Sequence, residues 1–124
     1  MDSYGKELIL DLHDCDPSTY KNREVLGDFI DQLCDLIQME QGPRHWWDYA
    51  GYPTDYAKAP PHLKGTSVVQ FIMTSTIVIH ALDDLHQVYI NIFSCKDFDT
   101  VDVTKFAVEW FKAEVIQKGT VLRK

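Results

Sequence analysis

The chain has 124 residues, 45% of them apolar and 25% charged. That is the composition of one folded domain with a single core, neither a disordered segment nor a pair of domains. Twelve Lys and Arg against 19 Asp and Glu give a formal charge of −7, which sets phosphate backbones and anionic membrane surfaces against it as partners.

In chain order, Glu7 to Leu12 is short and apolar and predicts a strand. Asp14, Asp16, Pro17 and Ser18 supply turn chemistry. Val25, Leu26, Phe29, Ile30, Leu33 and Ile37 recur at helical spacing, so roughly residues 22 to 40 should be an amphipathic helix, with Asn22 as N-cap and Gly42-Pro43 as its end. From His45 to Gly65 the chain is rich in aromatics and prolines; its first part could be a strand, and the rest reads as a long structured loop. Ser67 to Met73, Ile77 to His80 and Gln87 to Cys95 are β-rich. Phe106, Ala107, Trp110, Phe111 and Val115 predict a second helix, capped by Asp102 or Thr104 and ended by Gly119, before a short strand at Thr120 to Leu122. The order β-α-β-β-β-α-β packs most economically as an α+β two-layer sandwich, an antiparallel sheet with both helices on one face.

No apolar run approaches the length of a membrane span, and Met1-Asp2-Ser3-Tyr4 lacks the basic-then-apolar order of a signal peptide, so a cytoplasmic protein is expected. Cys15, Cys34 and Cys95 are an odd number with no CxxC pair, which predicts neither a disulfide framework nor a structural zinc site. His13, Asp14, Cys15 and Asp16 fit a turn better than a metal site, and Cys34 lies on the apolar helix face. Trp46, Trp47, Tyr49, Tyr52 and Tyr56 have three readings: core, oligomer interface, or a platform for a stacked adenine. Asp83 and Asp84 read as a solvated loop, or as carboxylates useful near a sulfonium or a ribose.

One stretch carries a pattern with chemistry in it. Ser67 lies eight residues before Ser75, Ser75 five before His80 in an Ile-His pair, and His80 fifteen before Cys95, which ends Ile90-Asn91-Ile92-Phe93-Ser94-Cys95. The opening Gly5-Lys-Glu-Leu8-Ile-Leu-Asp11-Leu12-His-Asp-Cys15-Asp16 matches in register as well. Taken singly, each is an ordinary packed residue; the joint spacing resembles the bacterial and archaeal S-adenosylmethionine decarboxylases, self-processing pyruvoyl enzymes. Mainly residues 41 to 65 are without a close counterpart.

The resemblance implies cleavage between Thr74 and Ser75, into a β chain of residues 1–74 and an α chain of residues 75–124. The Ser75 hydroxyl attacks the Thr74 carbonyl, and elimination and hydrolysis leave a pyruvoyl group in place of Ser75, with no metal. Its ketone forms a Schiff base with the amine of S-adenosylmethionine and accepts electrons as CO2 leaves. His80 assists processing, Cys95 reprotonates the product, and Ser67 is an auxiliary processing residue. The product feeds spermidine synthesis. A homodimer, with sites built from both protomers, is implied too.

This chain departs from the family's pattern in three places. Thr74-Ser75-Thr76 stands where the family has Glu-Ser-His, Ala81-Leu82-Asp83-Asp84 where it has Thr-Trp-Pro-Glu, and the aromatic segment is longer. These admit two alternatives: a pyruvoyl decarboxylase of arginine or ornithine, and an unprocessed regulatory homologue. A geometric requirement also follows. An uninterrupted strand puts Ser75 and His80 on opposite faces, so a single site needs a turn or bulge between them.

Overall fold

The computed structural model describes residues 2–124. Its strands are β1 (Gly5–His13), β2 (Gln41–Trp47), β3 (Gly65–Ile72), β4 (Ser75–Leu82), β5 (Gln87–Ser94) and β6 (Glu114–Arg123). Its helices are α1 (Arg23–Ile37), α2 (Pro53–Lys58) and α3 (Thr100–Phe111), with single 3-10 turns at Pro17–Thr19 and Pro61–Leu63. The strands form one antiparallel sheet in the order β2-β3-β4-β5-β1-β6. The fold is the expected α+β sandwich. It has one strand more than the predicted order.

Helix α1 forms where the periodicity puts it. The Asn22 side chain accepts from the Val25 N–H at 2.8 Å, and Leu26, Phe29, Ile30, Leu33 and Ile37 are buried at helical spacing. Helix α3 lays Val103, Ala107 and Phe111 into the same core, and Phe29 meets the Phe111 ring at 4.6 Å. Opposite them lie Leu8, Leu10 and Leu12 of β1, Ile77 and Ile79 of β4, and Val88, Ile90 and Ile92 of β5. Burying each such side chain stabilises the fold by about 1.5–3 kcal/mol. The other sheet face carries Ile9, Ser67, Phe71, His80 and Phe93, on the side away from the buried stripes of α1 and α3.

Several boundaries differ from the sequence expectation. Helix α1 stops at Ile37, because Gln38 turns into the left-handed region (φ 55°) and its N–H closes on Cys34 O and Asp35 O. Gly42-Pro43 therefore does not end the helix but lies in β2. Pro43 is tolerated there because β2 is an edge strand, and its register slips between Gln41 and Arg44. The loop after β2 contains α2. Helix α3 is capped by Asp99, not Asp102 or Thr104: its carboxylate accepts from the N–H groups of Val101 and Asp102. It ends at Lys112 (φ 52°), so Val115 and Gly119 belong to β6, paired with Leu12 and Ile9.

The turn expected around residue 14 is present: Asp14 has φ 56° and the Asp16 carboxylate accepts from Ser18 N–H at 3.0 Å. Cys15 and Cys34 are buried, and all three cysteines are free. Among the described residues, no helix is long and apolar enough to cross a membrane.

Candidate active site

Strands β3 and β4 are joined by only two residues, Met73 and Thr74, between the paired Ile72 and Ser75. So tight a turn needs a positive φ, and Thr74 supplies it at 51°. For a β-branched residue that is strained backbone, costing on the order of 1–3 kcal/mol. The strain sits at the residue whose carbonyl precedes Ser75.

Ser75 opens β4 and is buried on the core side, where its Oγ accepts the Cys95 N–H at 2.9 Å. Cys95 follows β5 by one residue, and alternation along the strand carries its side chain toward the face of Phe93. Its Sγ lies 2.9 Å from Thr74 Oγ1 and 3.6 Å from Met73 O. The hydroxyls of Thr74 and then Ser75 favour the thiolate and lower the Cys95 pKa. Burial has the opposite effect on Cys15 and Cys34, pushing both up to about 11. Only Cys95 has the partial exposure and hydrogen bonds of a reactive thiol.

Ser67 and His80 form a separate pair. They face each other across β3 and β4, with Ser67 Oγ 2.7 Å from His80 Nδ1. The serine hydroxyl donates when the ring proton is on Nε2. The pair faces a groove of about 730 Å³ on the open sheet face, whose lining includes Trp47, Tyr49, His62, Leu63 and Tyr89. Neither Ser75 nor Cys95 lines this groove.

Strand β4 pairs with β3 and β5 from Thr76 to Leu82 with no register shift. The bulge that a one-chain site requires is absent. Ser75 points to the core, His80 to the open face, and five residues of extended strand put them about 16 Å apart. The predicted residues are thus brought together as two pairs, Ser75 with Cys95 and Ser67 with His80, at opposite ends of β4.

The aromatic segment forms the groove's wall. Tyr49 donates to Leu63 O at 2.9 Å and meets Tyr56 edge-on at 5.7 Å. Tyr56 in turn donates to Asp83 Oδ2 at 2.6 Å. Asp83 is therefore not a solvated loop residue; it is buried, and burial raises its pKa. Asp84 stays at the surface and pairs with Lys64 at 3.3 Å. Of the other aromatics, Trp46 packs on the core while Trp47 and Tyr52 are exposed. Gly65 allows the start of β3 to lie close against β4, since a Cβ there would lie 1.9 Å from Ala81 O. The sequence reading missed the Tyr56–Asp83 contact and the Thr74 hydroxyl. A separation of 27 residues gives the first no local signal, and a threonine replacing a glutamate draws attention to what is lost.

Residues 6–124 match the S-adenosylmethionine decarboxylase family. The chain belongs to that family. A crystal structure of the adenosylmethionine decarboxylase from Aquifex aeolicus VF5 has the same fold: the TM-score is 0.78, covering 99% of this chain and 92% of that one, at 13% identity. No curated protein matches the chain in sequence. Family and fold connect this decarboxylase scaffold with S-adenosylmethionine in general. At 13% identity the structural likeness speaks for the backbone, not for individual side chains.

Proposed function

We propose that this protein cleaves itself between Thr74 and Ser75 and then decarboxylates S-adenosylmethionine, supplying the aminopropyl donor for spermidine. The observation that carries the reading is the β3–β4 turn, where a strained Thr74 precedes a Ser75 whose hydroxyl oxygen is held by the Cys95 N–H at 2.9 Å. The donor chemistry fits a pyruvoyl group made from Ser75: a hydroxyl beside the Thr74 carbonyl, the Thr74–Ser75 peptide at the turn, and a thiol adjacent. Attack by Ser75 Oγ on that carbonyl moves the acyl group from nitrogen to oxygen and releases the turn strain. The pyruvoyl group, once formed, supplies an electron sink for loss of CO2 from a substrate held through its amine.

The chain's own residues do the rest. Cys95 delivers a proton to the substrate carbon that has lost CO2, the task of a partly exposed thiol in hydrogen-bond contact with its neighbours. Ser67 and His80 present a hydroxyl and an imidazole to the groove, where the exposed aromatic wall suits a nucleobase. These halves, about 16 Å apart on one chain, join if two copies pack open face to open face about a two-fold axis. The Cys95 end of one sheet then lies over the His80 end of its partner. Exposed Ile9 and Phe71 on that face support a homodimer of this kind. The setting proposed is the cytoplasm, where three free thiols stay reduced.

The test is CO2 release from carboxyl-labelled S-adenosylmethionine, arginine and ornithine by purified protein. Release from S-adenosylmethionine alone supports the reading; release from arginine or ornithine instead overturns the substrate. No release from any of the three, by an intact chain, assigns the unprocessed regulatory role.

A further inference from the structure

The atoms around Cys95 have a consequence for the proton it carries. In the uncleaved chain Cys95 Sγ is next to the Thr74 hydroxyl at 2.9 Å, and Cys95 N–H holds Ser75 Oγ at 2.9 Å. Both hydroxyls favour the thiolate. A general acid has to be protonated before the chemical step, so contacts that lower the thiol's pKa work against that role.

Cleavage changes it, as bond accounting shows. When Ser75 Oγ bonds to the Thr74 carbonyl carbon, the carbon–nitrogen bond breaks and the hydroxyl proton ends on the freed amine. Removal of the Ser75 Cα proton then forms a carbon–carbon double bond and breaks Cβ–Oγ. The electron pair leaves with Oγ, and Thr74 becomes a C-terminal carboxylate. The remaining enamine takes up water and loses ammonia to give the ketone. One carboxylate oxygen is therefore the former Ser75 Oγ, the atom to which Cys95 N–H already donates.

We propose that Thr74 is a positioning residue for the decarboxylation: its carboxylate, created by cleavage and retained by the Cys95 N–H, keeps the Cys95 sulfur protonated as the general acid. This rests on the cleavage proposed above. The retained contact becomes a charge-assisted hydrogen bond, about twice as strong as a neutral one. A negative charge beside the sulfur disfavours a second one there. Thr74 Oγ1 already donates to Met73 O at 2.8 Å, which leaves its oxygen free to accept the thiol proton.

The other groups around the sulfur are not placed to cancel this. Tyr4 offers a neutral hydroxyl. The charged side chains of the surrounding segments are engaged elsewhere: Lys6 of β1 with Asp97, Lys96 with Gln38 O, and Arg123 of β6 with Glu7.

The experiment is the pH dependence of Cys95 alkylation by iodoacetamide, read by peptide mass spectrometry, in processed wild type and in the uncleaved Ser75→Ala chain. Buried Cys15 and Cys34 are internal controls. The processed form should show its midpoint about one pH unit or more above Ser75→Ala, roughly a tenfold change in the thiol to thiolate ratio. Thr74→Ser should preserve that difference. Wild-type precursor sampled before cleavage replaces Ser75→Ala if that variant does not fold. Cleaved protein with an equal or lower midpoint overturns the proposal and leaves cleavage standing; protein that never cleaves overturns both, and intact mass separates the two outcomes.

Discussion

Two inactive variants should rescue each other if each site is assembled from two chains. Cys95→Ala removes the thiol from one half-site and leaves Ser67 and His80 intact, whereas His80→Ala does the reverse. Each homodimer then lacks one component at both of its sites. In a heterodimer one composite site has both damaged halves and the other has both intact halves. Equal co-expression with random pairing makes about half the dimers heterodimers, each with one good site in two, so about a quarter of wild-type activity should return. The structural basis is the uninterrupted β4, which keeps Ser75 and His80 on opposite faces and about 16 Å apart. The assay is CO2 release by the co-expressed pair against each variant alone, normalised to total chain, with the cleaved fraction of each read by intact mass. Activity no higher than the mean of the two variants alone would refute the two-chain site.

Three further outcomes follow from the fold. Phe29→Ala empties a fully buried position against Phe106 and Phe111 and should lower unfolding free energy by about 3–5 kcal/mol in urea titration. Gly65→Ala should push β3 off β4, since Ala81 O lies 1.9 Å from the added Cβ; a loss of about 1–3 kcal/mol with an opened groove is expected from urea titration and hydrogen exchange at β3. Asp83 is raised above 3.8 mainly by burial, so its contribution is full below that pH and is lost as pH rises through the folded-state value. The melting temperature of Asp83→Asn relative to wild type should therefore climb with pH above 3.8, and a pH-independent difference would contradict the assignment. Taking that difference removes the opposite contributions of Asp31, Asp48 and Glu7, whose pKa values are lowered by hydrogen bonds.

Much of this architecture is legible in the residues. The spacing from Leu26 to Ile37 specifies α1, because a buried stripe and an Asn cap point to the same element. Strand β2 is less visible, since Gly42-Pro43 reads as a terminator unless one knows that the strand lies at an edge. The end of α3 is equally masked: Val115 fits the helical period, but a left-handed Lys112 stops the helix first. That conformation has no glycine to announce it. Pairing within the site is better encoded than its assembly. A two-residue turn at Met73-Thr74 places Ile72 opposite Ser75 and so Ser67 opposite His80. The second copy of the sheet belongs to the two-chain site proposed above and has no signal in one chain's spacing. The bulge expected between Ser75 and His80 was required only while all four residues had to meet in one chain.

The most direct test of the central claim is the intact mass of the purified protein under denaturing conditions. Self-cleavage predicts two fragments, residues 1–74 and residues 75–124, the second with a blocked amino end, and a Ser75→Ala chain that stays whole. A wild-type chain persisting as one species of 14.3 kDa after prolonged incubation would contradict it.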